Sequence, residues 1–191
     1  MGPAQWAILL LLSVLWGGSF YFIAVALTAL PPLTVVTLRV GLATLALLGV
    51  MMVMGIKIPT GSVWWVYLVL GFINIAAPFS LIVWGQTHIP SGLASILNAA
   101  TPLFGVVIAH IFTSDEKMTP GRAAGVVTGF TGVAIMVGPE ALAGLGTDVL
   151  AQLAVLGAGI FYALGTVYAR LKLKPYGSNP IASAVGQVAG G

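Results

Sequence analysis

The chain has 191 residues, of which 59% are apolar and only 6% charged, with a net charge of +3 and no cysteine. A soluble domain carries roughly 25% charged residues, and a soluble core of this length leaves too much surface in water to hide so much apolar material, so lipid must cover the remainder. The missing cysteines exclude disulfides, thiolate metal sites and cysteine nucleophiles.

Crossing about 30 Å of hydrocarbon takes roughly 20 apolar residues in a helix. Six runs of that length are predicted near 4–27, 33–54, 63–86, 91–112, 120–138 and 149–170. The first span contains Trp16-Gly17-Gly18-Ser19, where the glycines permit close helix approach and Trp16 and Ser19, three apart, share a face. Ala24-Val25-Ala26 resembles a signal cleavage site, but no Lys or Arg precedes the apolar run, and the run is too long. The second span follows Pro31-Pro32 and contains Arg39, the one charge within a span, about 9 Å from its end at 1.5 Å per residue. Arg39 either faces a wet cavity and attracts anionic or zwitterionic groups, or snorkels to the interface and bonds helix-end carbonyls.

The third and fourth spans repeat one device. Asn74 lies four residues before Pro78, and Asn98 four before Pro102. Proline has no amide hydrogen, so the carbonyl four residues earlier loses its helical donor. Each site therefore offers a freed carbonyl beside a carboxamide, and Thr101 shares the face of Asn98. These groups either form an uncharged substrate surface or are satisfied by neighbouring helices while the prolines shape the bundle. The fifth span opens with Thr119 as N-cap and Pro120 at the first helical position. Its Gly121, Gly125 and Gly129 form a small-residue stripe suited to helix packing. Trp64, Trp65 and Trp84 read as interfacial belt residues.

With the N-terminus cytoplasmic, Lys57, Lys117, Arg122, Arg170, Lys172 and Lys174 all fall on the inner side, whereas Glu140 and Asp148 fall outside. That asymmetry is a positive-inside signature.

A weak internal repeat is also present. Trp16-Gly17-Gly18 is matched by Tyr162-Ala163-Leu164-Gly165 about 146 positions later, and the seven-residue spacing from Pro32 to Arg39 recurs from Pro180 to Gln187. A second copy beginning near residue 149, after a five-span first copy, must run through the bilayer inverted, a design found in many transporters. The expected organisation is a first repeat over 1–138, an external loop over 139–148, and the opening of a second repeat over 149–191, its seventh span cut short. On that expectation the chain is an N-terminal fragment.

No zincin, P-loop or nucleophile-elbow motif occurs, and Gly17-Gly18-Ser19-Phe20 is only a near miss to a membrane serine-protease turn. His88 and His110 read as satisfied polar residues. No carboxylate lies mid-span, which favours facilitated exchange or uniport over proton coupling. No cofactor, metal or nucleic acid is implied. A receptor or sensor role is contradicted by no motif, but an inverted repeat serves alternating access better.

Four stretches, "LWGGSF", "PPLTVVTLR", "NAATPLFGVVIAH" and "SDEKMTPGRAAGVVTGFTGVAIMVGP", resemble the drug/metabolite transporter superfamily in its EamA-type branch of ten-helix permeases. The resemblance covers essentially the whole chain. It implies a bacterial inner-membrane permease, an exporter of amino acids or other small metabolites, with a cavity between two five-helix halves. A multidrug or lipid-like exporter is the alternative. The partners implied are a small-molecule solute, the bilayer, the C-terminal half of the same chain and a second copy in a homodimer. Cavity-lining spans one, three, four and six carry Trp16, Ser19, Asn74, Asn98, Thr101 and Tyr162, and Glu116 matches an acidic position expected to anchor the loop after span four. The first-helix glutamate of small multidrug-resistance relatives is absent here.

Overall fold

A computed structural model describes residues 2–57, 60–138, 147–176 and 179–191. The external loop expected over 139–148, with Glu140, lies outside the described residues except for Thr147 and Asp148. Helix α1 covers Pro3–Leu27 and α2 covers Pro32–Val53. The third crossing is divided into α3 (Val63–Gly71), a π turn (Phe72–Ala76) and α4 (Ala77–Gly85). The fourth consists of α5 (Ser91–Asn98) and α6 (Thr101–Phe112). Then come α7 (Pro120–Val137), α8 (Thr147–Leu173), a 3-10 turn (Lys174–Tyr176) and the short α9 (Pro180–Ala189). Six of these crossings are long and apolar enough to span a membrane, and the described residues contain no strand. The chain is an all-α, multi-pass membrane protein.

Local chemistry sets the helix starts. Proline occupies the first turn of α1, α2, α7 and α9, where its missing amide hydrogen costs nothing. The Thr119 side chain accepts from the Arg122 amide at 3.3 Å, as the N-cap reading expects. Asn179 caps α9 by accepting from the Ile181 amide at 2.9 Å.

Spans three and four are less regular than two continuous helices. Around Asn74 the Ala77 amide donates to the Phe72 carbonyl, five residues back, which widens the helix by one residue just before Pro78. Around Asn98 the helix stops, turns through Ala99-Ala100 and restarts at Thr101-Pro102. Both breaks lie where proline withholds an amide.

Helix α8 sits at the centre, packed on α4, α5 and α6. Ile82, Ala94, Leu97, Ala151, Val155 and Ala158 form one buried cluster with Phe20. Ile108, Ala109, Ala163 and Val167 continue the seam along α6 and α8. A Cβ on Gly85 would stand 3.1 Å from the Ala151 carbonyl, so α4 and α8 touch almost backbone to backbone. Helix α9 leans on α2 and α3, where Met51, Ala182 and Val185 form a separate cluster. Much of α1 is exposed, including Leu10, Leu11 and Val14, as expected of a surface that meets lipid.

The glycines of the first and fifth spans differ in what they meet among the described residues. No described residue lies within 4 Å of a Cβ placed on Gly17, Gly121 or Gly125, and at Gly18 Phe22 of the same helix is the one that comes that near. Gly129 alone of the α7 stripe meets a neighbour, with Leu103 atoms at 2.6 Å and beyond. The close approaches fall instead at Gly71, Gly85, Gly165 and Gly186. Spacing along one helix cannot say which face its neighbour takes.

Candidate functional site

The two proline-broken spans bring their asparagines to one place. Between α1, α2, the α3–α4 crossing, α5 and α8 lies a cavity of about 380 Å³, lined by Trp16, Ser19, Arg39, Asn74, Asn98 and Tyr162 among apolar side chains. That volume falls at the small end of pockets that hold metabolites. Trp16 is 66% exposed and forms an open edge, whereas Asn98 is 9% exposed and lies deep.

Arg39 turns inward. Its Nη1 donates to Ser19 Oγ at 2.9 Å, and its guanidinium carbon lies 4.5 Å from the centre of the Phe79 ring. An arginine stacked on an aromatic face and bonded to one hydroxyl keeps further N–H donors. Among the described residues the carboxylate-bonded cation is Arg170, so Arg39 has no acidic partner there.

Asn98 is poised differently. Its backbone carbonyl, left without a donor by Pro102, accepts from the Thr101 hydroxyl at 2.7 Å. Its side-chain Oδ1 is buried and has no hydrogen-bond partner among the described residues. A buried acceptor left unmade costs about 1–3 kcal/mol, which a solute donor would recover. Thr101 therefore serves the helix break and is absent from the cavity wall. Pro78 and Pro102 shape the site through backbone geometry. Asn74 Nδ2 donates to Gln187 Oε1 of α9 at 3.1 Å.

Sequence reasoning gave Phe79 and Gln187 no place at the site. The repeated seven-residue spacing after proline pointed at Gln187, which stands in α9 where Arg39 stands in α2. Nothing in the sequence marked Phe79.

Ser19 is bonded to Arg39 and the histidines serve elsewhere. His88 packs on Trp84 with ring centres 4.8 Å apart. His110 Nδ1 accepts from the Met118 amide at 3.0 Å, and its carbonyl accepts from Lys117 Nζ at 2.9 Å, which shapes the α6–α7 loop. Arg170 of α8 pairs with both Asp115 and Glu116 of that loop. The Asp115 carboxyl is held below its ordinary value of 3.8, chiefly by a hydrogen bond to backbone and further by the Arg170 charge.

The profile of the EamA-like transporter family matches residues 4–138. The uncharacterized transporter YvbV of Bacillus subtilis is 30% identical, over 84% of this chain and 52% of the relative. A probable terminal-alkyne amino-acid exporter of Streptantibioticus cattleyicolor is 29% identical, over 71% of this chain and 45% of the relative. The uncharacterized inner membrane transporter YedA of Escherichia coli K12 is 23% identical, over 94% and 57%. The chain thus spans about half the length of the curated relatives it matches. No solved structure matches it. With a profile match across most of its length and these relatives, the chain belongs to the EamA-like transporter family.

Proposed function

We propose that the full-length protein is a permease that moves a small metabolite across the inner membrane by alternating access, without chemistry on the solute. The observation that carries this reading is the cavity of about 380 Å³ between the crossings, where Arg39, Asn74 and Asn98 present polar atoms among apolar walls, in a chain of a transporter family. Arg39 anchors an anionic group of the solute, Asn98 Oδ1 accepts from a donor, and Phe20, Phe79 and Ile82 receive its apolar body. An amino acid has this distribution, and one relative bears the name of an amino-acid exporter.

The reading places two inverted five-helix repeats around the cavity, the first over 1–138 and the second opening at 149. The N-terminus faces the cytoplasm, because six of the seven basic residues then lie on that side. Partners are the solute, the bilayer, the remaining half of the longer chain and a second copy, the last read by in-membrane cross-linking. The predominance of apolar lining supports a second reading, export of amphipathic drugs or lipid-like solutes.

Flux into and out of vesicles carrying the full-length protein tests both, with tritiated L-phenylalanine and L-leucine for the first and ethidium for the second. Saturable movement of either amino acid supports the metabolite reading, and ethidium flux alone supports the other. Absence of all flux, together with a hydrolase activity that depends on Ser19, overturns transport.

A further inference from the structure

Gly165 is the glycine where a side chain meets its neighbour most closely: a Cβ there would lie 1.7 Å from Asn74 Oδ1 and 2.4 Å from its Cγ. The Asn74 carboxamide is therefore seated on bare α8 backbone with its oxygen. With its nitrogen it reaches the other way, to Gln187 of α9. Gln187 is itself held, its Nε2 donating to the Ser183 carbonyl at 3.3 Å. One short side chain thus joins the helices on either side of the 174–179 connection to the middle of the third crossing, and it also borders the cavity.

The backbone that carries it is the π turn Phe72–Ala76. On one side of this turn α3 is clamped to α9. Tyr67 is fully buried beneath Gly186, where a Cβ would meet its ring at 2.5 Å, and a Cβ on Gly71 would lie 2.3 Å from Gly190 backbone. On the other side α4 is clamped to α8 at Gly85. The π turn and α3 also meet α8, with Phe72 edge-on to Phe161 at 6.4 Å between ring centres, but α3 alone of the two halves is locked to α9 at glycine backbone, and the turn between the halves has the irregular hydrogen bonding of a π bulge.

We propose that Asn74, Gly165 and Gln187 form a solute-responsive joint: Asn74 is tied to Gln187 when the cavity is empty and transfers its amide to the solute when the cavity fills, freeing α3 and α9 to move relative to α4 and α8. Gln187 is a positioning residue, acting through Asn74. This rests on the permease reading of the cavity. A solute shifts a conformational equilibrium only by as much as it binds one state better than the other, and competition for Asn74 supplies that difference. Removing Gln187 therefore tightens solute binding while uncoupling it from movement.

The test has two parts in the full-length protein. Thermal unfolding is measured for Asn74→Leu, Gln187→Leu and the double variant, and the saturable flux of tritiated L-phenylalanine and L-leucine for wild type, Gln187→Leu and Gln187→Glu. The joint predicts non-additive losses of thermal stability, because the second substitution finds its partner already gone. In flux it predicts that Gln187→Leu lowers KM about 3- to 10-fold, the range of one hydrogen bond, and lowers kcat at least as much. Gln187→Glu keeps an acceptor at the same reach and returns both toward wild type. Additive stability losses overturn the joint whatever the flux. Non-additive losses with KM unchanged overturn the responsive role, since a purely structural contact lowers kcat or yield without tightening binding. Wild-type vesicles that move neither amino acid count against the metabolite reading, and the stability cycle still decides whether the tie exists.

Discussion

Replacing Gly165 by alanine isolates the seat of Asn74. The new Cβ would lie 1.7 Å from Asn74 Oδ1, so the oxygen must retreat by at least 3.0 − 1.7 = 1.3 Å to reach even the shortest separation that real Cβ atoms show. The clash itself is cheap to relieve, because a carboxamide can swing about its side-chain torsions. What the swing gives up is the 3.1 Å bond to Gln187. That bond contributes about 1 kcal/mol, and an acceptor stranded in a membrane interior adds roughly another 1–2. Alanine's better helix propensity returns up to about 1 kcal/mol. The expected net loss is about 1–3 kcal/mol, a fall of a few degrees in the thermal midpoint, measured by differential scanning fluorimetry on detergent-solubilised protein. Asn74→Ala supplies the control: in that background Gly165→Ala becomes neutral or stabilising. Wild-type stability for Gly165→Ala, or the same loss in both backgrounds, refutes the reasoning.

Other outcomes follow from the same geometry. Gly71→Ala meets Gly190 backbone rather than a movable side chain and costs about 1–3 kcal/mol by overpacking, whereas Gly17→Ala enters open space and is neutral or stabilising by up to about 1 kcal/mol; chemical denaturation of both variants compares them. Asn98→Leu removes a buried acceptor that has no partner among the described residues, so the solute-free protein holds or gains stability while its affinity for transported solute falls about tenfold, read by flux and thermal shift on one preparation. Arg39→Ala weakens solute binding by about tenfold or more, and Arg39→Lys restores it only in part, because an ammonium lacks the planar fork that stacks on Phe79 and bonds Ser19. The Asp115 carboxyl lies below its usual 3.8, so its contribution is fully present above that value and is lost as pH falls through the lowered one. Acid therefore loosens the α6–α7 loop from Arg170, and protease accessibility of that loop across an acid titration reports it; release of the loop already near neutral pH contradicts the assignment.

The crossings were legible because apolar length and proline or glycine punctuation are local quantities. Pro120 after Thr119 defined a helix start that the structure reproduces, since the cap bond forms within one turn. Asn74 and Asn98 were legible as special because a proline four residues on always frees a carbonyl. Thr101 was placed on the cavity by helical spacing and lies off it, because the chain breaks at Ala99-Ala100 and the hydroxyl turns to the Asn98 carbonyl. The glycine stripe of α7 is met only in part by the described helices, for a related reason. A stripe announces that a neighbour could come close, but α6 meets α7 near Gly129 and leaves Gly121 and Gly125 open.

The sequence by itself determined that this chain is a bundle of membrane-crossing helices, where each crossing begins and ends to within a few residues, and which few polar side chains hydrocarbon would not tolerate without partners. Those conclusions need only transfer free energies and backbone stereochemistry, both of which act over a few residues. Tertiary structure alone decided that Arg39 turns to Ser19 and Phe79 instead of to the interface, that Gly165 and not Gly17 accepts a close neighbour, and that Asn74 spans to Gln187, 113 residues away. Each of these is a choice of which helix faces which, and in a bilayer, where apolar surface has no preference between lipid and protein, that choice rests on shape and hydrogen bonds between distant segments.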